Sequence, residues 1–246
     1  MNSLLLLPSE CLSAEKAELS GARALYAYDT HGIRAGQTVR VGVLGGLKGE
    51  AKVVSATQSA IALDLSLSET SLPSEPIDLI VGVSRPQTIK KVIQAAVMLG
   101  VRSLHFVRSE QGEKSYLQSR SLDEDQILDE STKALEQVWD TRAPEIHVHR
   151  TFSYFLEKKY PGLVSGVAHA HSLVAHPSGE PLVVADGSHF AASHVVVAIG
   201  PERGWSAQEI ELFTQAGFKV IGLGERVVRV EIALVLLMGQ LQLLRR

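Results

Sequence analysis

The segment LGERVVRVEIALVLL, residues 223–237, combines four charged side chains with a long apolar run. Glu225, Arg226, Arg229 and Glu231 stand at the start of a stretch whose composition is typical of a buried helix. Arginines bind phosphates or stabilise negative charge that develops during a reaction, and a carboxylate can orient them. The structural alternative is an ion pair between Glu225 and Arg229 within the helix, together with a capping role. The segment alone favours both interpretations equally.

Two glycine-bearing loops stand where predicted strands end. Gly200–Gly204 follows the apolar run 195–199, and Gly222–Gly224 closes the run 219–223. Ligands of open α/β sheets bind beyond the carboxyl ends of strands, and glycines let backbone groups approach a ligand closely. Such loops could hold a phosphate or the adenosine of a nucleotide-like cofactor. Neither loop has the Walker A or the dinucleotide-binding spacing, so tight turns are an equal alternative.

The composition is that of an ordinary globular protein, with 246 residues, 45% hydrophobic and 21% charged, and a formal net charge of −3. A nucleic acid would therefore need a local patch of Lys and Arg. The single cysteine, Cys11, cannot form an internal disulfide, which fits a reducing compartment. The four leucines near the start are too short for a signal peptide core or a membrane span. We expect a soluble cytoplasmic protein.

The polar and apolar pattern changes near residue 70. Alternation over 37–43, 50–54 and 59–67 predicts short strands of a small barrel, and the stretch 68–76, rich in proline and serine, predicts a linker. Afterwards strands alternate with helices, which predicts a parallel sheet covered on both faces. The predicted helices are 86–99, 123–139, 152–159, one that starts at a capping box of Ser206 and Glu209, and one over 227–244. The predicted strands are 77–83, 101–107, 146–149, either 163–170 or 172–175, 195–199 and 219–223.

Two long motifs carry a resemblance to a known family. IGPERGWSAQEIELF is similar to a family segment with Ile-Gly-Pro-Glu-Gly-Gly before an acidic amphipathic helix, and LGERVVRVEIAL is similar to Leu-Gly-x-Arg-Ile-Leu-Arg-x-Glu-Thr-Ala. SRPQTIKKVIQAAVMLGVRSLHFV and VAHP fit upstream in the correct order. The chain thus resembles the ribosomal RNA small subunit methyltransferase E family of the SPOUT (trefoil-knot) methyltransferases, well over about residues 77–246 and loosely before them.

The resemblance implies a fold, a cofactor and a partner. It implies an α/β fold, in which a SPOUT α/β-knot methyltransferase domain with a deep trefoil knot spans residues 76–246. A small PUA-like β-barrel that binds RNA would precede it over residues 1–72. The implied cofactor is S-adenosyl-L-methionine, without a metal, and the implied assembly is a homodimer. The implied reaction is methylation of N3 of a uridine in 16S rRNA, on the free RNA or on the small ribosomal subunit.

That reaction assigns roles to residues of this sequence. A neutral uridine N3 is a poor nucleophile, so a base must remove its proton or positive groups must stabilise the uridinate. On the predicted helix, Arg226 and Arg229 share one face and act on the RNA or the uridinate, while Glu231 orients an arginine or the substrate. The residues expected at the cofactor are Ala175, His176, Gly200, Pro201, Glu202, Gly204, Leu223, Gly224, Val227 and Val228. The residues expected to bind RNA are Arg23, His31, Arg34, Arg85 and Arg203.

Three departures from the family pattern keep alternatives open. Arg203 stands where the family has a second glycine, and Ile232 stands where it has a threonine. The barrel signature is blurred, although His31 and the nearby arginines can substitute for it. The alternatives are a knot-fold RNA-binding protein with impaired catalysis, or a methyltransferase that acts on another RNA nucleotide.

Aromatic and histidine residues have competing interpretations too. Trp205 either stacks on a base or forms a hydrophobic staple before its helix. The histidines at 147, 149, 169, 171 and 176 lack the cysteine or carboxylate spacing of a structural zinc site, so we expect no metal.

Overall fold

The computed structural model describes residues 3–167, 169–182 and 193–245. The chain forms two compact units, Met1–Pro73 with Ser131–Ala143, and Ser74–Glu130 with Pro144–Arg246. Within the described ranges, no helix is long and apolar enough to cross a membrane.

The first unit is built on a six-stranded sheet in the order β1-β4-β5-β6-β3-β2. Only β1 and β4 are parallel; the other neighbours are antiparallel. Apolar side chains that alternate along the strands, such as Leu19, Val41 and Ile61, form its core. The strands are β1 (Leu4–Leu6), β2 (Cys11–Ser13), β3 (Lys16–Ser20), β4 (Thr38–Val43), β5 (Lys48–Ala56) and β6 (Ala60–Glu69).

One helix of this unit, α1 (Gly21–Asp29), is absent from the sequence prediction. It buries only Ala24 and Ala27, and such small side chains give a weak periodic signal. The predicted strands, which all follow α1, correspond to β4, β5 and β6 and are confirmed, whereas β1, β2 and β3 are also absent from the sequence prediction.

The second unit is built on a six-stranded parallel sheet in the order β12-β10-β11-β7-β8-β9. Both faces are covered, which explains why the described residues of β11 are buried throughout. The predicted α/β architecture with a parallel sheet is confirmed. The strands are β7 (Glu75–Gly82), β8 (Val101–Val107), β9 (Glu145–His149), β10 (Ala170–Pro181), β11 (His194–Ile199) and β12 (Lys219–Gly222).

Most helices that follow α1 begin and end within a few residues of the predicted bounds. The capping box is present, because Ser206 Oγ accepts from the amide of Glu209 and the Glu209 carboxylate accepts from the amide of Ser206. The helices are α2 (Pro86–Met98), α3 (Glu124–Val138), α4 (Phe152–Tyr154), a π-helical segment (Phe155–Lys159), α5 (Tyr160–Val164), α6 (Ala207–Gln215) and α7 (Val230–Leu244).

Two predicted helix boundaries and one of two alternative strands are wrong. The last helix begins at Val230 and not at residue 227, because Arg229 is an N-cap in extended conformation. The helix predicted over 152–159 continues to Val164, since Pro161 stands in the first turn of α5, where proline is favoured. The strand alternative 163–170 is therefore wrong, and 172–175 lies within β10.

Histidines form a hydrogen-bonded chain on one face of the parallel sheet. His105 Nδ1 lies 3.0 Å from His149 Nε2, and His105 Nε2 lies 2.9 Å from Ser103 Oγ. Burial lowers the pKa of His105 to about 3 and that of His149 to about 4, with the neighbouring histidines adding to the effect. Both rings are therefore neutral at neutral pH.

The chain of hydrogen bonds ends at a buried carboxylate. Ser103 Oγ donates to Asp78 Oδ1 over 2.6 Å, and His194 Nε2 lies 2.8 Å from Asp78 Oδ2. Burial alone would raise the pKa of Asp78, but hydrogen bonds from His194, Arg102 and Ser103 hold it well below its ordinary value. Asp78 is thus a fully buried carboxylate whose charge is satisfied by its neighbours.

We expect the stability of the protein to fall as the pH drops from neutral towards 5. The pKa values of His105 and His149 are depressed on folding, so the unfolded chain binds more protons below about 6.5 and the stabilisation is lost there. The loss should be about 4 kcal/mol, roughly 2 kcal/mol for each ring, in urea denaturation followed by tryptophan fluorescence. A His105→Gln, His149→Gln double variant should flatten this dependence; an unchanged slope would contradict the role of the two rings.

Candidate functional site

A cavity of about 480 Å³ lies at the bulge of β10 and at the ends of β11 and β12. Its walls are the segments 175–177, 199–204 and 223–230, together with Ala233 of α7. The volume lies within the range typical of small-molecule sites. The cavity therefore lies at the carboxyl edge of the sheet, where open α/β sheets bind ligands.

The middle wall segment depends on two glycines that meet across a tight turn. A Cβ on Gly200 would lie 2.8 Å from the Cα of Gly204, which is closer than real side chains approach. Gly204 has a φ of 76° and donates its N–H to the Pro201 carbonyl over 2.7 Å. Arg203 has no positive φ and is exposed, so a side chain fits there although the family pattern has glycine.

The two outer wall segments are also held by contact between backbones. Ile221 pairs with Ala175 and again with Glu180, so β10 bulges out between these residues and then returns to β12. At the return, a Cβ on Gly222 would overlap the carbonyl oxygen of Gly179, and a Cβ on Gly179 would overlap the backbone of Ile221. The bulge carries His176 and Pro177 into the cavity wall.

A third close contact joins the middle segment to the end of β7. A Cβ on Gly82 would overlap the ring of Pro201. The carboxylate of the next residue, Glu202, accepts hydrogen bonds from the backbone N–H of Arg85 over 3.1 Å and from Thr88 Oγ1 over 2.9 Å. Since the N-cap Arg85 makes no side-chain cap of its own, Glu202 caps α2 from a distant loop.

The charged segment of the last wall is a loop, so the predicted helical placement of its arginines is wrong. Residues 223–229 are not helical, so Arg226 and Arg229 do not share a helical face, and an intrahelical Glu225–Arg229 pair does not form. Instead Arg229 Nη1 lies 3.6 Å from Glu231 Oε1, in the first turn of α7. The side chain of Arg229 is 74% exposed and lines the cavity.

Glu231 is a largely buried carboxylate with two cationic neighbours. Lys91 Nζ lies 3.3 Å from the same Oε1 that Arg229 approaches. Burial alone would raise the pKa of Glu231, but its backbone N–H, Lys91 and Arg229 together lower it. Glu231 therefore stays ionised at neutral pH and is a weak proton acceptor, which fits the orienting role predicted for it.

The structure gathers most of the predicted site residues. Two residues at the start of α7, Glu231 and Ile232, are not part of the cavity wall. The residue Ile232 is 40% exposed on α7, so the absence of the family's threonine hydroxyl does not change the cavity surface. The sequence prediction missed Pro177, Ile199, Glu225, Val230 and Ala233 as wall residues. The predicted residues that line the cavity are Ala175, His176, Gly200, Pro201, Glu202, Arg203, Gly204, Leu223, Gly224, Arg226, Val227, Val228 and Arg229.

The three candidate RNA-binding residues of the first unit are held by local contacts. Arg23 Nε donates to Glu10 Oε1 over 2.6 Å. The Arg34 guanidinium lies 3.7 Å from the Tyr28 ring centroid. The His31 ring meets that of Tyr26 edge to face at 4.6 Å, and burial lowers the pKa of His31. Their assignment to RNA stays a prediction.

Trp205 is part of the hydrophobic core. It is 4% exposed, and its ring centroid lies 5.1 Å from that of Phe213. The Trp205 ring is thus packed against Phe213 of α6, and its face is not available to a base. The hydrophobic staple stays a prediction. In the described part of the chain, no group of three or more His, Cys, Asp or Glu side chains is arranged to hold a metal ion.

A family model described as an RNA methyltransferase domain matches residues 70–242, which include the whole cavity wall. The chain belongs to this family of RNA methyltransferases.

Curated relatives confirm the resemblance found in the sequence. A ribosomal RNA small subunit methyltransferase E from Treponema pallidum is 28% identical over 202 residues, 82% of this chain and 75% of the relative. A second protein of that name, from Synechocystis, is 24% identical over 69% of this chain and 54% of its own length.

Solved structures show the same fold. A ribosomal RNA small subunit methyltransferase E from Neisseria gonorrhoeae, bound to S-adenosyl methionine, matches with a TM-score of 0.78 and 20% identity over 98% of both chains. A Legionella pneumophila protein, solved with bound SAM, matches with a TM-score of 0.76 and 19% identity over 99% and 98% of the two chains.

We expect Gly222→Ala to destabilise the protein by about 1–3 kcal/mol or more, because the new methyl group would overlap the Gly179 carbonyl. Gly239→Ala is the matched control. A Cβ on Gly239 meets nothing within 4 Å, and alanine in the middle of α7 should stabilise the helix by up to about 1 kcal/mol. Thermal denaturation of both variants checks this; equal melting temperatures would contradict the close backbone packing.

Proposed function

We propose that this protein transfers a methyl group from S-adenosyl-L-methionine to N3 of a uridine in 16S rRNA. The observation that carries the proposal is one cavity whose wall combines glycine-bearing loops with Arg226 and Arg229, in a chain of the RNA methyltransferase family. The relatives named as small subunit rRNA methyltransferases, one of them solved with the methyl donor, support the choice of substrate and cofactor.

The cavity fits the methyl donor in size and chemistry. Gly200, Gly204 and Gly224 leave backbone N–H and C=O groups accessible for the polar groups of an adenosine and an amino acid. Val227 and Val228 supply apolar surface for the adenine ring and the methylene groups. When bound, S-adenosyl-L-methionine supplies an electrophilic methyl group on a sulfonium.

The arginines of the third wall segment act on the acceptor base. As the N3 proton of the uridine passes to solvent water, negative charge spreads to the neighbouring carbonyl oxygens, and Arg226 and Arg229 stabilise that charge. Glu231 fixes the orientation of the Arg229 guanidinium, which donates hydrogen bonds to the base. Because Glu231 is ionised and paired with cations, it orients Arg229 and does not take the N3 proton.

The same proposal assigns the RNA contacts. Arg203 lines the cavity and Arg85 is exposed at the start of α2, so both can bind phosphates around the target uridine. The first unit, with Arg23, His31 and Arg34, would hold RNA as the PUA-like barrel of residues 1–72. Residues 76–246 would form the trefoil-knot domain.

Two features favour an active enzyme over an RNA-binding protein that has lost catalysis. Arg203 occupies a backbone conformation open to any residue, and Ile232 lies outside the cavity wall. Both departures from the family pattern thus leave the cavity wall intact.

The functional assembly in this proposal is a homodimer, and an apolar strip on α7 is its interface. Ile232, Val235, Leu236 and Leu243 are each at least 40% exposed, and their spacing places them along one side of the helix. A mass of twice 26.6 kDa in light scattering is expected, and Leu236→Glu should reduce it to one chain. Leu12→Glu, at an exposed leucine of β2, should leave the dimer intact; a monomeric parent protein would contradict the interface.

The function is tested by combining cofactor binding with methyl transfer. Calorimetry should show S-adenosyl-L-methionine binding once per chain. With small ribosomal subunits, Arg226→Ala and Arg229→Ala should each lower kcat about 100-fold, while the Kd for the cofactor stays within about threefold, because both side chains act on the acceptor.

Two results bear on the alternatives. Absence of cofactor binding, or rates that stay unchanged in both arginine variants, would contradict the proposed mechanism. Methyl transfer to another nucleotide would retain the class of enzyme and change its substrate. Transfer to purified 16S rRNA and to assembled subunits, measured side by side, identifies the form of RNA that is recognised.

A further inference from the structure

Helix α2 contacts the middle segment of the cavity wall and the residue that follows the third segment, although none of the residues of α2 lines the cavity. The contacts come from Thr88 and Lys91, which are three residues apart and therefore lie on neighbouring positions of one helix face. Each side chain binds a carboxylate from a different part of the chain.

The first contact is at the amino end of α2. Thr88 Oγ1 donates to Glu202 Oε1, which also accepts from the backbone N–H of Arg85. Glu202 belongs to the middle wall segment, so this carboxylate fixes the turn of residues 200–204 to the end of α2. The Gly82–Pro201 contact fixes the same turn to the end of β7.

The second contact is almost one turn further along the helix. Lys91 Nζ donates to Glu231 Oε1 over 3.3 Å, and Arg229 Nη1 lies 3.6 Å from that same oxygen. Glu231 follows the third wall segment directly. A lysine outside the cavity is thus linked through one carboxylate to an arginine of its wall.

The helix that carries these two side chains is itself well anchored. Ile89, Val92, Ile93 and Ala96 are fully buried in the second unit. Two other polar residues of α2, Lys90 and Gln94, have a different partner, since both bind Glu130. Contacts made from such a buried helix hold their partners in place more firmly than contacts made from a mobile loop.

We propose that Thr88 and Lys91 are positioning residues for the methyl transfer, acting through Glu202 on the cofactor turn and through Glu231 on Arg229. This inference rests on the proposed function. Arg229 is a long and largely exposed side chain, which samples many rotamers unless a partner selects one. Glu231 can select one only if its own carboxylate is held, and Lys91 holds it.

The two residues should affect different kinetic constants. Lys91→Met keeps the aliphatic stem and removes the charge, so kcat should fall about tenfold while the Kd for S-adenosyl-L-methionine changes less than twofold. Lys91→Arg should restore most of kcat, because it can still donate to Glu231. Thr88→Val should instead raise the Kd for the cofactor about threefold, and Thr88→Ser should restore it.

Lys90→Met is the matched control for Lys91→Met. It removes the same charge from the adjacent residue, whose partner Glu130 is not part of the cavity wall. It should leave kcat and the cofactor Kd within about twofold of the parent protein. An equal loss of kcat in both variants would show a general charge effect on RNA binding and would overturn the positioning role.

A readout without catalysis separates this inference from the proposed function. In ¹³C NMR titrations, the pKa of the Glu231 carboxyl should be below its ordinary value in the parent protein and should rise in Lys91→Met but not in Lys90→Met. If the parent protein transfers no methyl group, the proposed function fails, whereas the titration still tests the contact. A Glu231 pKa that does not respond to Lys91→Met, or an unchanged kcat in that variant of an active enzyme, would overturn the inference.

Discussion

The site depends on backbone segments that approach each other more closely than side chains allow. Gly200 meets Gly204, Gly222 meets Gly179, and the end of β7 meets Pro201 at Gly82. These contacts bring the bulge of β10 and the ends of β11 and β12 together around one cavity, and they join the end of β7 to the cavity wall at Pro201. Because a Cβ atom at any of these positions would push the segments apart, the positions of the glycines determine the shape of the cavity.

Charged side chains then hold the segments that the glycines bring together. Glu202 and Glu231 each carry a negative charge beside the cavity, and each is bound by a residue of α2. Among the charges at the start of α7, Glu231 is satisfied by cations, and one of those cations, Arg229, lines the cavity. Nearby, Glu209 caps α6 and also accepts from the amide of Glu110, so the loop after β8 is tied to α6. At each of these positions, a carboxylate connects a loop to a helix.

The sequence predicts the parts of this structure that depend on local pattern. The parallel sheet, α2 and α6 follow from apolar periodicity and the capping box. The glycine loops after β11 and β12 indicate a possible site, and the other predicted cavity residues come from the resemblance to the family. The start of α7 cannot be predicted in this way, because the apolar residues 227–228 are compatible with both a helix and a loop. The helix begins only after Arg229, whose backbone is extended. The contacts of Lys91 with Glu231 and of Thr88 with Glu202 join residues 140 and 114 positions apart, which no spacing rule can reveal. The hydrogen bonds between the histidines cannot be predicted from the sequence for the same reason, since they join residues of neighbouring strands.

Methylation of uridine N3 in 16S rRNA at this cavity is tested most directly by nucleoside mass spectrometry of 16S rRNA from cells that lack the protein. N3-methyluridine should disappear from the small subunit and return when the parent chain is expressed, but not when the Arg229→Ala chain is. N3-methyluridine that persists at its normal level without the protein would contradict the proposed function.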